Sequence, residues 1–512
     1  MRSQHNITIK NIQMAKKNFL YPADWVKTKP YMAVDSVDIY YTGIANRIYD
    51  ILKETKLDAI FNTPHSMRTA VMSITGWFED VISQNGIWQA FTNECEQMYG
   101  KKLPFYPLGD NYYPDEINQE DIQFLLWHNL QTVTRTQRII NPTSPVLMLA
   151  AEFIYHMLED EYETAPENER LHQFIYASVD KEVACAHYVE VATWFHYKSF
   201  INIENFDEFM TVNGEFMQNA HDDPQQLEAV SWGMYVTMML KGHRSLLALT
   251  TPEWLSRLAK GNDALKLWKD VKVRKASCYL VESIADGVLT LNDLVEGDTI
   301  TLKVENLDFP TKDFVAGTTT VICEFVKFDK QLHRVGTIAV NDMGENVEQY
   351  VAQEKENRSD KNQKAIHKAF LKAADNKYVM FFKDKAATEE FLTEKMGYHF
   401  AQGVKLPEFK TDRNIMLMAS PKTGLTVQPG FLSCLNAEHN PYFSKEDAAK
   451  NTLPVIARAN AIPYDIICHM LDDGMLSEAT FSGSDNAVEN KKLAQDNLPF
   501  IVDYYYHNNR TK

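Results

Sequence analysis

The chain has 512 residues, 45% hydrophobic and 12% aromatic, with a formal net charge of −17. That length makes roughly three domains of ordinary size, the apolar content excludes wholesale disorder, and the excess of acid excludes a surface that wraps nucleic acid or an anionic membrane over its whole extent. The six cysteines are scattered without a CxxC pair, the start lacks an apolar leader core, and no run reaches the ~20 apolar residues of a bilayer span, so a soluble cytoplasmic protein is expected.

From Ser36 to about Gly261 apolar residues recur at the helical period. Asp35 and Ser36 cap a stretch in which Val37, Tyr40, Tyr41, Ile44, Ala45, Ile48 and Leu52 share one face. The pattern repeats over Met67–Ile82 and over Ile87–Tyr99, which Gly100 stops. Leu103–Pro114 (LPFYPLGDNYYP) then breaks the period with prolines and rings. Such a loop either presents rings to a ligand or folds back over helix surface, and the area an aromatic side chain buries favours covering. Further helices are expected from Asn118 and Asp121 onward and over Pro145–Tyr162, Asp180–Lys198 and Pro224–Leu240. Thr251-Pro252-Glu253 through Lys260-Gly261 has cap, early proline, acid at the start, base at the end and a closing glycine.

Val271–Val340 changes to period two. The spacing predicts strands at Lys275–Ser283, Val288–Leu291, Thr299–Glu305, Gly317–Phe328 and His333–Val340, with turns at Ala285-Asp286-Gly287 and Glu296-Gly297-Asp298. Five short strands suffice for an SH3-like or OB-like β-barrel. Tyr279-Leu280-Val281, Asp286-Gly287, Leu289, Leu291, Asp293-Leu294 and Gly297-Asp298 resemble a small barrel module embedded in large uncharacterised bacterial proteins. The resemblance covers this segment and implies a fold without an activity; the cysteine-rich zinc knuckle that some relatives carry beside the barrel is missing here.

Gln353–Gln363 has almost no apolar residue and is expected as a solvated linker or exposed helix. The last third is mixed. Strands are expected at Tyr378–Phe382 and Asn414–Ser420, and a helix at Asp384–Met396 closed by Gly397. Helices follow near Pro429–Leu435, Ser444–Asn451, Pro454–Ala459, Tyr464–Asp472 and Asn486–His507. The run NIMLMASPKTGL, then a helix, then NPYF resembles the closing part of a bacterial family of unknown function, which implies kinship and no mechanism. The expected architecture is therefore α+β and multidomain: a mainly helical N-terminal half (1–262), a central small five-stranded β-barrel (263–344), a charged linker or exposed helix (345–375) and a C-terminal α+β domain (376–512).

Three constellations invite chemistry. Ser178-Val179-Asp180-Lys181, Lys422-Thr423-Gly424 and Ser484-Asp485-Asn486 match the SxxK, KTG and SDN strings of penicillin-recognising enzymes, but the last two are exchanged in order and KTG reads as a turn after a strand. Glu152 with His156, and His187 with Glu190, could each share a helix face; if the two helices met, four ligands could converge on zinc, iron or manganese for a hydrolase or nuclease. The competing account leaves both histidines at the margin of a helical core with the glutamates in water. Cys434 with His439, and Cys468 with His469, are better read as structural, since neighbours on a helix diverge by about 100°. A helix-turn-helix over Leu453–Leu476 is set aside because Asp465, Asp472 and Asp473 would repel phosphates. Neither a Walker-type loop nor a GxGxxG after a strand occurs.

One local reversal of charge stands out in this acidic chain. Arg257, Lys260, Lys266, Lys269, Lys272, Arg274 and Lys275 face only Asp263 and Asp270, with Trp254, Trp268 and Tyr279 interleaved, at the approach to the barrel. An anion-binding or single-strand-binding surface has this composition; so does a lysine-coated segment that solvates itself or pairs with acidic residues between Glu159 and Glu169. The expectation is a non-catalytic binding or scaffold protein. Arg257, Lys266, Lys269, Lys272, Arg274 and Lys275 would contact a partner protein or polyanion, with no sequence-specific DNA reading and no membrane. The alternative is the metal-dependent hydrolase.

Overall fold

The computed structural model describes residues 19–61, 63–134, 139–219, 224–397, 414–458, 462–483 and 486–510. Helices build the first half where the apolar period predicts them. α1 (Ser36–Glu54) starts with a reciprocal cap in which the Asp35 carboxylate accepts from the amides of Val37 and Asp38 while Asp38 reaches back to the Asp35 amide. α2 (Pro64–Ile82) follows a Thr63 cap, and α3 (Ile87–Tyr99) ends at Gly100, whose φ of 70° most residues resist. α4 (Gln119–Thr134) and α5 (Pro145–Tyr162) come next, then α6 (Glu169–Tyr176), α7 (Ala184–Lys198), α8 (Asn205–Asn219), α9 (Pro224–Lys241) and α10 (Thr251–Leu258). Of these, α6 and α8 were not expected. α10 is capped by Thr250, which frees the buried Thr251 to bond the His196 ring at 2.7 Å.

The loop after α3 folds back over the helices. Phe105 is buried against Trp127 (4.7 Å between centroids), and the Tyr106 hydroxyl donates to the Pro142 carbonyl at 3.0 Å. Covering, not presentation, is its role for these rings.

A five-stranded antiparallel sheet occupies the middle of the chain: β1 (Lys272–Ala285), β2 (Val288–Asp293), β3 (Thr299–Lys303), β4 (Thr319–Phe328) and β5 (Gln331–Asp342), in spatial order β3-β2-β1-β4-β5. Asp286 and Gly287 both lie at positive φ, 53° and 74°, as a two-residue hairpin requires. The five expected strands are present, but the sheet is open, which corrects the expectation of a closed barrel. β3 stops at Lys303 in a 3₁₀ turn, and the carbonyls of Leu307 and Asp308 accept from the Arg334 side chain (2.5 and 2.9 Å). That arginine ties the segment after β3 to β5.

The sheet has two different faces. Tyr279, Val281, Leu289, Leu291, Ile300, Leu302, Val321, Cys323 and Phe325 form a core of its own. Val326, Phe328 and Val335 instead join the helical core, with Phe328 5.6 Å from Tyr188. α9 approaches β5 closely because a Cβ on Gly233 would meet Thr337 at 3.1 Å.

The polar stretch after the sheet forms two helices, α11 (Glu345–Asn357), which buries Val347 and Val351, and α12 (Lys361–Ala373), which buries Phe370. Between them Arg358 is tied back to the sheet through Glu296 (2.6 Å) and the Ala276 carbonyl (2.5 Å). A second antiparallel sheet, β6 (Val379–Phe382), β7 (Ile415–Ser420) and β8 (Gly424–Pro429), includes a strand that was not expected. α13 (Lys385–Glu390), α14 (Lys445–Ile456) and α15 (Tyr464–Asp472) follow, and α12, α13 and α15 pack against this sheet. The residues near Pro429–Leu435 make only a short 3₁₀ turn, Leu432–Cys434.

The expected terminal helix is two, α16 (Ala487–Gln495) and α17 (Leu498–Tyr506). The break falls at Asn497, whose side-chain oxygen accepts from the Phe105 amide (3.0 Å) and the Lys101 ammonium (3.2 Å). α17 lies in the core of the first helices. Phe500 contacts the rings of Tyr99, Phe105, Phe124 and Trp127, Tyr99 donates to Asp503 at 2.8 Å, and His128 meets the Tyr504 hydroxyl at 2.9 Å. Among the described residues no helix is long and apolar enough to cross a membrane.

Candidate partner-binding surface

The basic approach to the sheet is built by a one-turn alternation. Asn262 caps a 3₁₀ segment, Asp263–Asp270, through its side chain and the Ala264 amide (2.9 Å). Three residues per turn place Leu265 and Trp268 on one side, where both are buried and Trp268 packs edge-on against Tyr188 at 5.6 Å. Burial of those two forces Lys266 and Lys269 outward, and both are exposed. The chain then enters β1, where Val273 pairs with Val326 on the helical side and Lys272 lies directly opposite Lys327 of β4. Lys272, Lys275 and Lys327 are all exposed. None of these five lysines makes an ion pair among the described residues. A like-charged pair directly across a ladder is unfavourable on its own.

The two arginines of the basic run are employed inside the protein. Arg257 bonds Glu94 at 3.0 Å, joining α10 to α3. Arg274 bonds Asp293 (2.8 Å), Asp298 (2.5 Å) and the Tyr279 hydroxyl (3.1 Å), so it fastens the β2–β3 turn to β1. Asp293 is fully buried and also accepts from Ser277 (2.5 Å) and from the amides of Val295 and Glu296 (3.0 Å each). Burial opposes its charge, but Ser277, the Glu296 amide, Arg274 and the Val295 amide together hold it below the usual carboxylate range.

Beside the lysines, Leu267 and Phe328 lead into a cleft of about 830 Å³ between the sheet, α7 and α9. Trp232 lines it and is 53% exposed, although its ring stacks on Tyr235 at 5.5 Å. Sequence reasoning missed this tryptophan. Its signal is α9 itself, which carries Leu227, Val230, Trp232, Met234 and Val236 all round and so has no polar face to give to water.

The other sequence candidates do not assemble. His156 on α5 is exposed and turns to Glu159 (3.3 Å), while His187 on α7 is half-buried between Phe174 and Trp268; burial lowers its pKa and Glu190 opposes that. Glu152 and Glu190 are exposed. The two helices do not bring the four side chains together, and among the described residues no group of three or more His, Cys, Asp or Glu side chains could hold a metal ion. Ser178 and Lys181 are exposed in the connection between α6 and α7, not one turn apart on a helix. Lys422-Thr423-Gly424 is the turn from β7 into β8, and Ser484 and Asp485 lie outside the described residues. Cys434 is buried and His439 bonds the Val379 carbonyl (3.0 Å), whereas Cys468 and His469 diverge on α15, with His469 against Tyr378.

A polar cluster that the sequence did not flag lies inside the helical half. Lys29 pairs with Glu79, and Glu79 accepts from Asn168 (2.9 Å), which also donates to Tyr31 (2.8 Å); Lys29 and Glu79 are both buried. The neighbouring Asp80 receives the amides of Ile87 and Trp88 (3.3 and 2.9 Å), and burial, against those bonds, pushes it up to about 7. Two adjacent acids within the apolar run VMSITGWFEDVI were the available signal.

No curated protein and no solved structure matches this chain. A family model described as a protein of unknown function, DUF3843, matches residues 19–297 and 333–507, omitting β3, β4 and the turn that follows them. With most of its length so matched, the chain belongs to that family.

Proposed function

We propose that the protein is a non-catalytic binding or scaffold protein that docks an anionic partner across Lys266, Lys269, Lys272, Lys275 and Lys327, at the end of a sheet curled like a small barrel. The observation that carries this reading is the lysine row itself. In a chain of net charge −17, five exposed lysines are carried by one 3₁₀ segment and two paired strands, and none makes an ion pair among the described residues. An anion lying across the Lys272–Lys327 pair would relieve their repulsion. The neighbouring cleft adds an exposed tryptophan, a residue enriched at the anchors of protein interfaces, and so favours a partner with an apolar as well as an acidic surface.

The test uses heparin, an oligothymidylate and polyglutamate as anionic probes, titrated at low and moderate salt against wild type and against Lys266→Glu, Lys269→Glu, Lys272→Glu and Lys275→Glu combined. Salt-sensitive binding by wild type that falls at least tenfold in the variant is expected. Equal binding by the two proteins, or none by wild type, overturns the reading. Arg274 is left intact, because its reversal would break the β2–β3 turn and confuse loss of binding with loss of fold.

A further inference from the structure

We infer that the interior of the helical half holds one tightly bound water molecule between the Trp25–Lys29 segment and the Ser83–Gly86 turn. A cavity of about 20 Å³ is lined there by Trp25, Lys29, Glu79, Asn85 and Lys198, among others. A space of that size admits one water and little more.

Two of its walls carry polar atoms that nothing satisfies. Asn85 is fully buried, and neither its amide nitrogen nor its amide oxygen has a partner; the indole N–H of Trp25, 1% exposed, has none either. Buried amide and indole groups left unpaired are uncommon in folded proteins and point to an occupant. The turn that delivers Asn85 inward sets the residues on either side, Gln84 and Gly86, at positive φ (50° and 76°). Asn85 itself is one of the residues that line the cavity.

The chemistry of the walls selects the occupant. Asn85 offers both an acceptor and a donor, and Trp25 a second donor. An anion would leave the Asn85 oxygen unpaired, and a cation would leave both N–H groups unpaired. Water accepts and donates. The charges around the cavity are already engaged: Lys29 with Glu79, Asp80 with two amides, and the Lys198 ammonium with the Lys29 carbonyl at 3.4 Å.

The bound water would fasten the chain before α1 to the α2–α3 turn; within α2, Gly76 on the cavity wall lies so close to Phe200 that a Cβ would meet it at 2.6 Å. The test is a crystal structure of the full chain in which ordered waters are refined, with a matched crystal soaked in bromide. The expected result is one density peak within hydrogen-bonding distance of Asn85 and of the Trp25 indole nitrogen, with no anomalous bromide signal there. A dry cavity, or a bromide peak in it, overturns the inference.

Discussion

The central sheet and the last helix solve the same problem in opposite ways. The sheet surrounds a core drawn from residues between Tyr279 and Phe325, so strands that are neighbours in sequence bury one another. α17 has no core of its own; its rings are received by Tyr99, Phe105, Phe124 and Trp127, hundreds of residues earlier. One region is stabilised by local pairing and the other by closure of a very long loop. Damage to the sheet should therefore stay local, and damage to α17 should spread.

The largest effect is expected from Phe500→Ala. Loss of a buried phenylalanine costs about 3–5 kcal/mol, and the tryptophan fluorescence of the N-terminal helices should report it as a lowered melting temperature. A melt unchanged from wild type would show that α17 is not part of that core. Next is Asp293→Ala, which leaves the Ser277 hydroxyl and two amides without their acceptor and Arg274 with only Asp298 and the Tyr279 hydroxyl. Removing one partner of a buried pair costs roughly 3 kcal/mol, and hydrogen exchange should rise in β1–β3 while α2–α4 keep their protection. Spread of exchange into those helices would erase the contrast.

A smaller effect separates the regions by pH. Asp293 has a lowered folded pKa, so its contribution is complete above the unfolded value of about 3.9 and is lost as the pH falls through the lower folded value. Asp80 is shifted the other way, to about 7. It favours the fold fully below the unfolded value of about 3.9 and loses that contribution as the pH rises toward 7. Asp80→Asn should flatten the stability profile between those limits, measured by denaturant titration, and leave the acid limb in place. The smallest effect on stability belongs to the four lysine reversals, which should leave the melting temperature where it was while changing anion binding.

What could be read in advance follows the same division. The strand alternation from Val271 to Val340 and the Asp286-Gly287 turn announced the sheet because period and turn chemistry are local. Its openness was not visible, since whether the edge strands β3 and β5 pair is a matter of how residues distant in sequence meet, not of period or turn chemistry. Membership in a family of unknown function was likewise foreseen from the strings around NIMLMASPKTGL and NPYF. Composition singled out Lys266, Lys269, Lys272 and Lys275 but not Lys327, and it could not tell Lys269 from Arg274; only the position of Asp293 and Asp298 marks Arg274 as a fastener. The split at Asn497 escaped notice because its partners, Lys101 and the Phe105 amide, sit at the far end of the chain. Trp232 escaped for a different reason: an apolar residue on an apolar helix is read as core until the neighbouring surface is known.

The placement of α17 also sets a timetable for synthesis. Ribosomes add about 5–20 residues per second, so the stretch from Trp127 to Phe500 takes roughly 20–75 seconds to emerge at that pace. Throughout that interval the aromatic wall of α3 and α4 lacks its final covering, and the nascent chain carries an exposed sticky face. Newly made protein should thus depend on holding chaperones until translation is almost finished, whereas the central sheet can close as soon as β5 has left the tunnel.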